Sequence, residues 1–143
     1  MNPSPVDSLV TFFETVHPES IADFPHYYSE DAYFKDPFNE VRGVPAIQRI
    51  FTHMFQQVAE PRFTITEQIV DGNSAMLVWE FHYRVAIFGR EQKQMIRGAS
   101  HLKFDAEGKV FWHRDYWDAA EELYARLPVV GLLMRGLKKV MAS

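Results

Sequence analysis

The sequence predicts an α+β domain in which a curved antiparallel sheet wraps around three N-terminal helices. Three observations carry this prediction. Apolar residues recur at helical spacing in three stretches before Pro61, the spacing falls to two from Arg62 onward, and the alternating stretches are joined by links too short for crossovers. A sheet curved in this way leaves a cavity on its concave side.

In the first stretch Leu9, Val10, Phe12, Phe13 and Val16 share one helical stripe, with Asp7 or Ser8 able to cap it. Ile21, Phe24 and Tyr28 suggest a second, short helix that kinks or restarts at Pro25. Ala32 to Phe38 is short and aromatic and meets a proline, the pattern of an edge strand entering a loop. Pro45 suits a first helical turn, and Ile47, Ile50, Phe51, Met54, Phe55 and Val58 then form an amphipathic stripe that Pro61 closes. Four strands follow over Phe63 to Val70, Ala75 to Ile87, Gln94 to Phe104 and Lys109 to Tyr116. The turns between them are Asp71-Gly72-Asn73, the region of Gly89, and Asp105 to Gly108. Asp118-Ala119-Ala120-Glu121 has cap-and-glutamate spacing, so a short C-terminal helix is expected, interrupted at Pro128 and Gly131. With no repeat and no linker, residues 1–143 read as a single domain with a helical tail over 121–143.

Composition narrows the function. The 143 residues are 47% apolar and 24% charged with no cysteine, which excludes disorder, a disulfide scaffold and thiolate chemistry. Fifteen basic against 19 acidic side chains give no basic footprint, so no nucleic-acid partner is expected. Residues 1–72 hold 4 basic and 11 acidic side chains and the remainder 11 and 8, an imbalance that surface pairing between the halves absorbs. Neither a signal-peptide pattern nor an apolar run of bilayer length is present, so a cytoplasmic address is expected. No two histidines stand at i, i+2 or i, i+4, so no metal site is expected. No cofactor is expected either. What stands out is the aromatic content, 12 Phe, 6 Tyr and 3 Trp.

Alternation sorts the strands into faces. Trp79, Phe81, Tyr83 and Val85 share one, which must be inside, and Glu80, His82 and Arg84 share the other. On the last strand His113, Asp115 and Trp117 oppose Trp112, Arg114 and Tyr116, and both sets are partly apolar, so alternation alone does not orient it. The inner aromatics are either plain core or the wall of a small-molecule pocket.

Tyr28 to Pro37, Arg42-Gly43, the helix from Pro45 to Gln57 and the hairpin Ser100 to Val110 together resemble the ketosteroid-isomerase-like, or nuclear transport factor 2-like, superfamily. It also holds SnoaL-type polyketide cyclases and scytalone dehydratase. The likeness covers about residues 8–120 and implies a cone-shaped, cystatin-like fold. Asp36, before Pro37, falls where the steroid isomerases keep their proton-shuttling aspartate. Phe12 or Phe13 stands at the position of their oxyanion tyrosine and Ser100 at that of their second aspartate, so steroid isomerisation is not expected. The same register turns His113, Asp115 and Trp117 toward the cavity. Asp115 matches the final-strand aspartate of the cyclases, and His113 with Tyr28 echoes the dehydratases.

The resemblance thus implies Asp36 as the group that abstracts or relays a proton, His113 and Asp115 as a second acid/base, and Tyr28 or Ser100 as residues that orient a substrate oxygen. Phe34, Phe38, Ile50 and Leu102 would line the cavity, together with Trp79, Phe81, Tyr83 and Trp117. The expected occupant is a small, largely apolar molecule with a carbonyl or hydroxyl, and the reaction an isomerisation, cyclisation or dehydration. A non-catalytic binding module is the alternative. Simpler roles exist for both acids: Asp36 as a turn cap, and Asp115 in a surface cluster with Arg114 and Asp118. Val78, Trp112 and Tyr116 face outward and would form a homodimer contact, as is common in this superfamily. The tail 126–143 is basic and apolar, but Pro128 and Gly131 break it, so docking over the cone or a partner subunit is expected rather than membrane attachment.

Overall fold

A computed structural model describes residues 4–119. The expected C-terminal helix and tail lie outside the described residues. Helix α1 spans Pro5–Glu14, earlier than its apolar stripe suggests. Ser4 is the cap, its Oγ accepting the Asp7 amide at 3.1 Å, and Pro5 fills the first turn, where an amide would have no partner. Val16 falls beyond the helix. The second helix is a 3-10 segment, Pro18–Asp23, followed by one α turn, α2, Phe24–Tyr27, so the restart falls at Phe24 with Pro25 inside the new turn. Helix α3, Val44–Gln57, starts after Gly43, whose φ of 99° suits a residue without a side chain, and buries Val44, Ile47 and Phe51.

Six strands follow the order β2-β1-β6-β5-β4-β3 in one sheet. β1, Tyr28–Lys35, begins four residues before the expected strand and is not an edge. It lies between the short β2, Glu40–Arg42, and β6, Val110–Tyr116. The β1–β6 pairing is parallel, which makes the sheet mixed instead of wholly antiparallel. β3 (Ala59–Asp71), β4 (Ser74–Ile87) and β5 (Arg90–Phe104) form the long antiparallel meander. Pro61 does not merely end the preceding helix. It sits inside β3, where the ladder shifts register between Ala59 and Arg62, a position open to proline because β3 is the edge.

The helices pack on the concave face. Phe24, Tyr28, Phe34, Ile47, Leu102 and Val110 are all at most 1% exposed. Each such apolar side chain contributes about 1.5–3 kcal/mol through burial. Phe12 joins this core, stacked on Tyr27 with ring centres 4.4 Å apart. Among the described residues no helix is long and apolar enough to cross a membrane.

Candidate functional site

Beyond this core the same concave face and α3 enclose a cavity of about 880 Å³. Its wall is mostly rings. Phe63, Trp79, Phe81 and Tyr83 form a ladder of edge-on and stacked contacts, with centroid separations of 4.6–5.9 Å. Phe34, Phe38, Ile50, Leu102 and Trp117 also line the cavity, and Phe38 meets Trp117 edge to face at 5.5 Å. Phe13, not Phe12, reaches the cavity from α1.

A chain of polar contacts crosses the wall. His113 is buried on β6 and bonded at both ring nitrogens, Nδ1 to the Tyr28 hydroxyl at 2.7 Å and Nε2 to Asp115 Oδ1 at 2.6 Å. The arrangement that satisfies every group has Tyr28 donating to Nδ1 and Nε2–H donating to the carboxylate. Burial, reinforced by the charge of Asp115, raises the Tyr28 pKa well above that of a free phenol, so Tyr28 keeps its proton. The chain therefore ends at Tyr28, which fixes the imidazole, and does not run on as a proton wire. Tyr28 stands behind His113 and is not part of the cavity wall, unlike the substrate-orienting role implied by the resemblance.

Asp115 Oδ1 accepts a second hydrogen bond, from Ser100 Oγ at 2.5 Å, while Ser100 Oγ accepts the indole N–H of Trp79 at 2.9 Å. The single Ser100 proton thus goes to Asp115 and is not offered to a ligand oxygen. These positions follow from alternation: Ser100 pairs with Asp115 across β5 and β6, and Leu77 with Ser100 across β4 and β5.

Asp36 follows β1 and is both a turn cap and a cavity residue. Its Oδ1 accepts the amides of Phe38 and Asn39 at 2.8 and 2.6 Å, and the Asn39 side chain adds further hydrogen bonds. Burial raises its pKa from the ordinary carboxylate value. The hydrogen bonds from Phe38 and Asn39 oppose that shift, and the nearby charge of Asp115 adds to it. Asp36 and Asp115 therefore sit within electrostatic reach of each other on an otherwise largely apolar wall.

Two features escaped the sequence reading. Gly98 pairs with Trp79, and a Cβ there would stand 2.5 Å from the Trp79 ring and 3.0 Å from Trp117 Cβ, so the absence of a side chain makes room for both indoles. An isolated glycine within a strand was the available signal. On α3, Arg49, His53 and Gln57 line the cavity one turn apart, although the sequence pattern shows them only as the polar face of a helix.

The family model of the SnoaL-like domain matches residues 9–113, and the chain belongs to that family within the ketosteroid-isomerase-like and nuclear transport factor 2-like proteins. A structure assigned as a SnoaL-like polyketide cyclase from Shewanella putrefaciens superposes with a TM-score of 0.71 at 18% identity, over 88% of this chain and 100% of its own. A ketosteroid isomerase-like protein from Catenulispora acidiphila, in complex with trimethylamine, gives 0.69 at 14%, over 86% and 92%. TsrD from Streptomyces laurentii gives 0.65 at 16%, over 85% and 90%. At these identities the likeness establishes the fold. No curated protein matches the sequence.

Proposed function

We propose that the protein is an acid–base catalyst acting on an apolar, oxygen-bearing small molecule held in the cavity. The observation that carries this reading is the pair of carboxylates, Asp36 and Asp115, on an aromatic wall. Ionised Asp36 takes a proton from a carbon next to the ligand carbonyl, and the carbon's electron pair moves toward the carbonyl oxygen. The resulting carboxylic acid returns the proton at a second carbon, which isomerises the ligand, or to oxygen after ring closure. Burial and the charge of Asp115 make Asp36 a stronger base than a free carboxylate. Asp115, positioned by His113 and through it by Tyr28, accepts a hydrogen bond from a ligand hydroxyl.

The test uses solvent deuterium uptake into a panel of bicyclic and tricyclic aryl ketones, followed by mass spectrometry. The wild type is expected to exchange the proton next to the carbonyl in at least one ketone. Asp36→Asn keeps the amide-accepting oxygen of the turn and is expected to slow exchange by about 100-fold or more, as for loss of a general base. Ketones that bind without exchange would leave binding as the function. That second reading has its own support in Phe13 and in the engaged hydroxyl of Ser100, neither of which offers a proton to a developing oxyanion.

A further inference from the structure

We infer that Arg49, with His53 and Gln57 beside it on α3, forms a headgroup subsite for an anionic oxygen acid, so that the preferred ligand is an amphipathic acid. The inference rests on the cavity-binding part of the proposed function and adds the chemical class and orientation of the occupant. Aromatic walls hold an apolar body but do not say which way round it lies, since rings contact apolar surface without regard to direction. Orientation must come from the polar points. At one side of the cavity stand Asp36 and Asp115, whose negative charges repel each other and would repel a ligand anion placed between them. Arg49 is the one arginine or lysine among the lining residues, and among the described residues it has no ion pair, hydrogen bond or ring contact of its own. Its guanidinium is matched to a carboxylate or sulfonate by its paired N–H groups. His53 and Gln57 follow at i+4 and i+8 along the same helical line, with the Gln57 amide 3.5 Å from His53 Nδ1, so the rim continues as a row of polar side chains.

The same row places the reacting end. Arg49 is not among the charges that shift Asp36, so an acid anchored on α3 would hold its anion apart from the carboxylates, with its apolar body on the aromatic wall and its uncharged oxygen function free to meet Asp36 and Asp115. Electrostatic repulsion at the carboxylates and attraction at Arg49 act in the same direction, so one orientation is selected by both.

Two dyes of nearly equal shape test the inference: 8-anilinonaphthalene-1-sulfonate, which is anionic, and N-phenyl-1-naphthylamine, which is its neutral counterpart. Binding is read by energy transfer from Trp79 and Trp117, both on the wall. Arg49→Gln is expected to weaken the sulfonate dye about fivefold, the scale of a solvent-exposed ion pair, while the neutral dye stays within about twofold. Arg49→Lys keeps the charge but loses the paired N–H groups, so it should fall between wild type and Arg49→Gln for the sulfonate dye, and raised salt should erase the difference between wild type and Arg49→Gln. An Arg49→Gln effect equal on both dyes, or absent from both, overturns the headgroup subsite while binding in the cavity stands. If neither dye binds the wild type, the cavity-binding reading fails and this inference with it.

Discussion

Trp112 and His113 are consecutive on β6 and face opposite sides of the sheet, and the two sides use their side chains differently. On the convex side Trp112 is covered by separate small contacts: the Tyr33 ring at 5.8 Å, the His101 ring at 4.9 Å and the Lys103 ammonium at 4.7 Å. Each partner can be removed without leaving the others unsatisfied. On the concave side His113 belongs to a chain from Tyr28 to Trp79 in which each buried group satisfies the next. Loss of one link there strands its neighbour in a dry environment, so the cost is that of an unmet polar group and not of one contact. A face exposed to water tolerates independent contacts, whereas polar groups beside an apolar cavity must be mutually satisfied.

The comparison predicts a graded series. Gly98→Ala should have the largest effect, since its methyl collides with the Trp79 ring and Trp117 cannot yield freely. A loss of about 1–3 kcal/mol by urea denaturation is expected from overpacking, with a smaller cavity and weaker dye binding. Tyr28→Phe keeps the ring but removes the donor to His113 Nδ1, and should cost about 1–2 kcal/mol together with a fall in deuterium exchange that the distance of Tyr28 from the ligand would not otherwise explain. Lys103→Gln, on the convex face, should cost no more than about 0.5–1 kcal/mol and leave exchange and dye binding unchanged. A cost matching that of Tyr28→Phe would break the contrast between the faces. The smallest effect is one of slope. The Asp36 pKa is higher in the folded protein than in the unfolded chain, so between the two values the folded state binds more protons and stability declines as pH rises through the folded pKa. Urea midpoints of wild type minus Asp36→Asn, taken across the acid range, should show that decline, and a rising difference would reverse the assigned shift.

Local patterns in the sequence account for the meander, for α3 and for the faces of β4 and β6, because period and turn chemistry depend on near neighbours. His113, Asp115 and Ser100 could be placed on the cavity side from the family register and alternation. Contacts between distant segments were not legible in the same way. The parallel pairing of β1 with β6 leaves no trace in either segment, so the sequence alone presents β1 as an edge. The seat of Pro61 within β3 depends on that strand being the true edge, which is a property of the whole sheet. The engagement of Ser100 by Trp79 and Asp115 depends on rotamers that spacing does not encode. Arg49 was legible as polar but not as cavity-lining, since an amphipathic stripe does not tell a helix over a full core from one over a void.

The parallel strand pair also sets an order of events during synthesis. Tyr28 and His113 are 85 residues apart, and β1 cannot find its long-range neighbour until β6, the last strand described, has been made. Closing so large a loop is slow compared with forming the local hairpins, so β3 to β5 can zip while β1 and its aspartate wait. A ribosome stalled before residue 110 would thus carry a chain with most of its rings and no cavity chemistry.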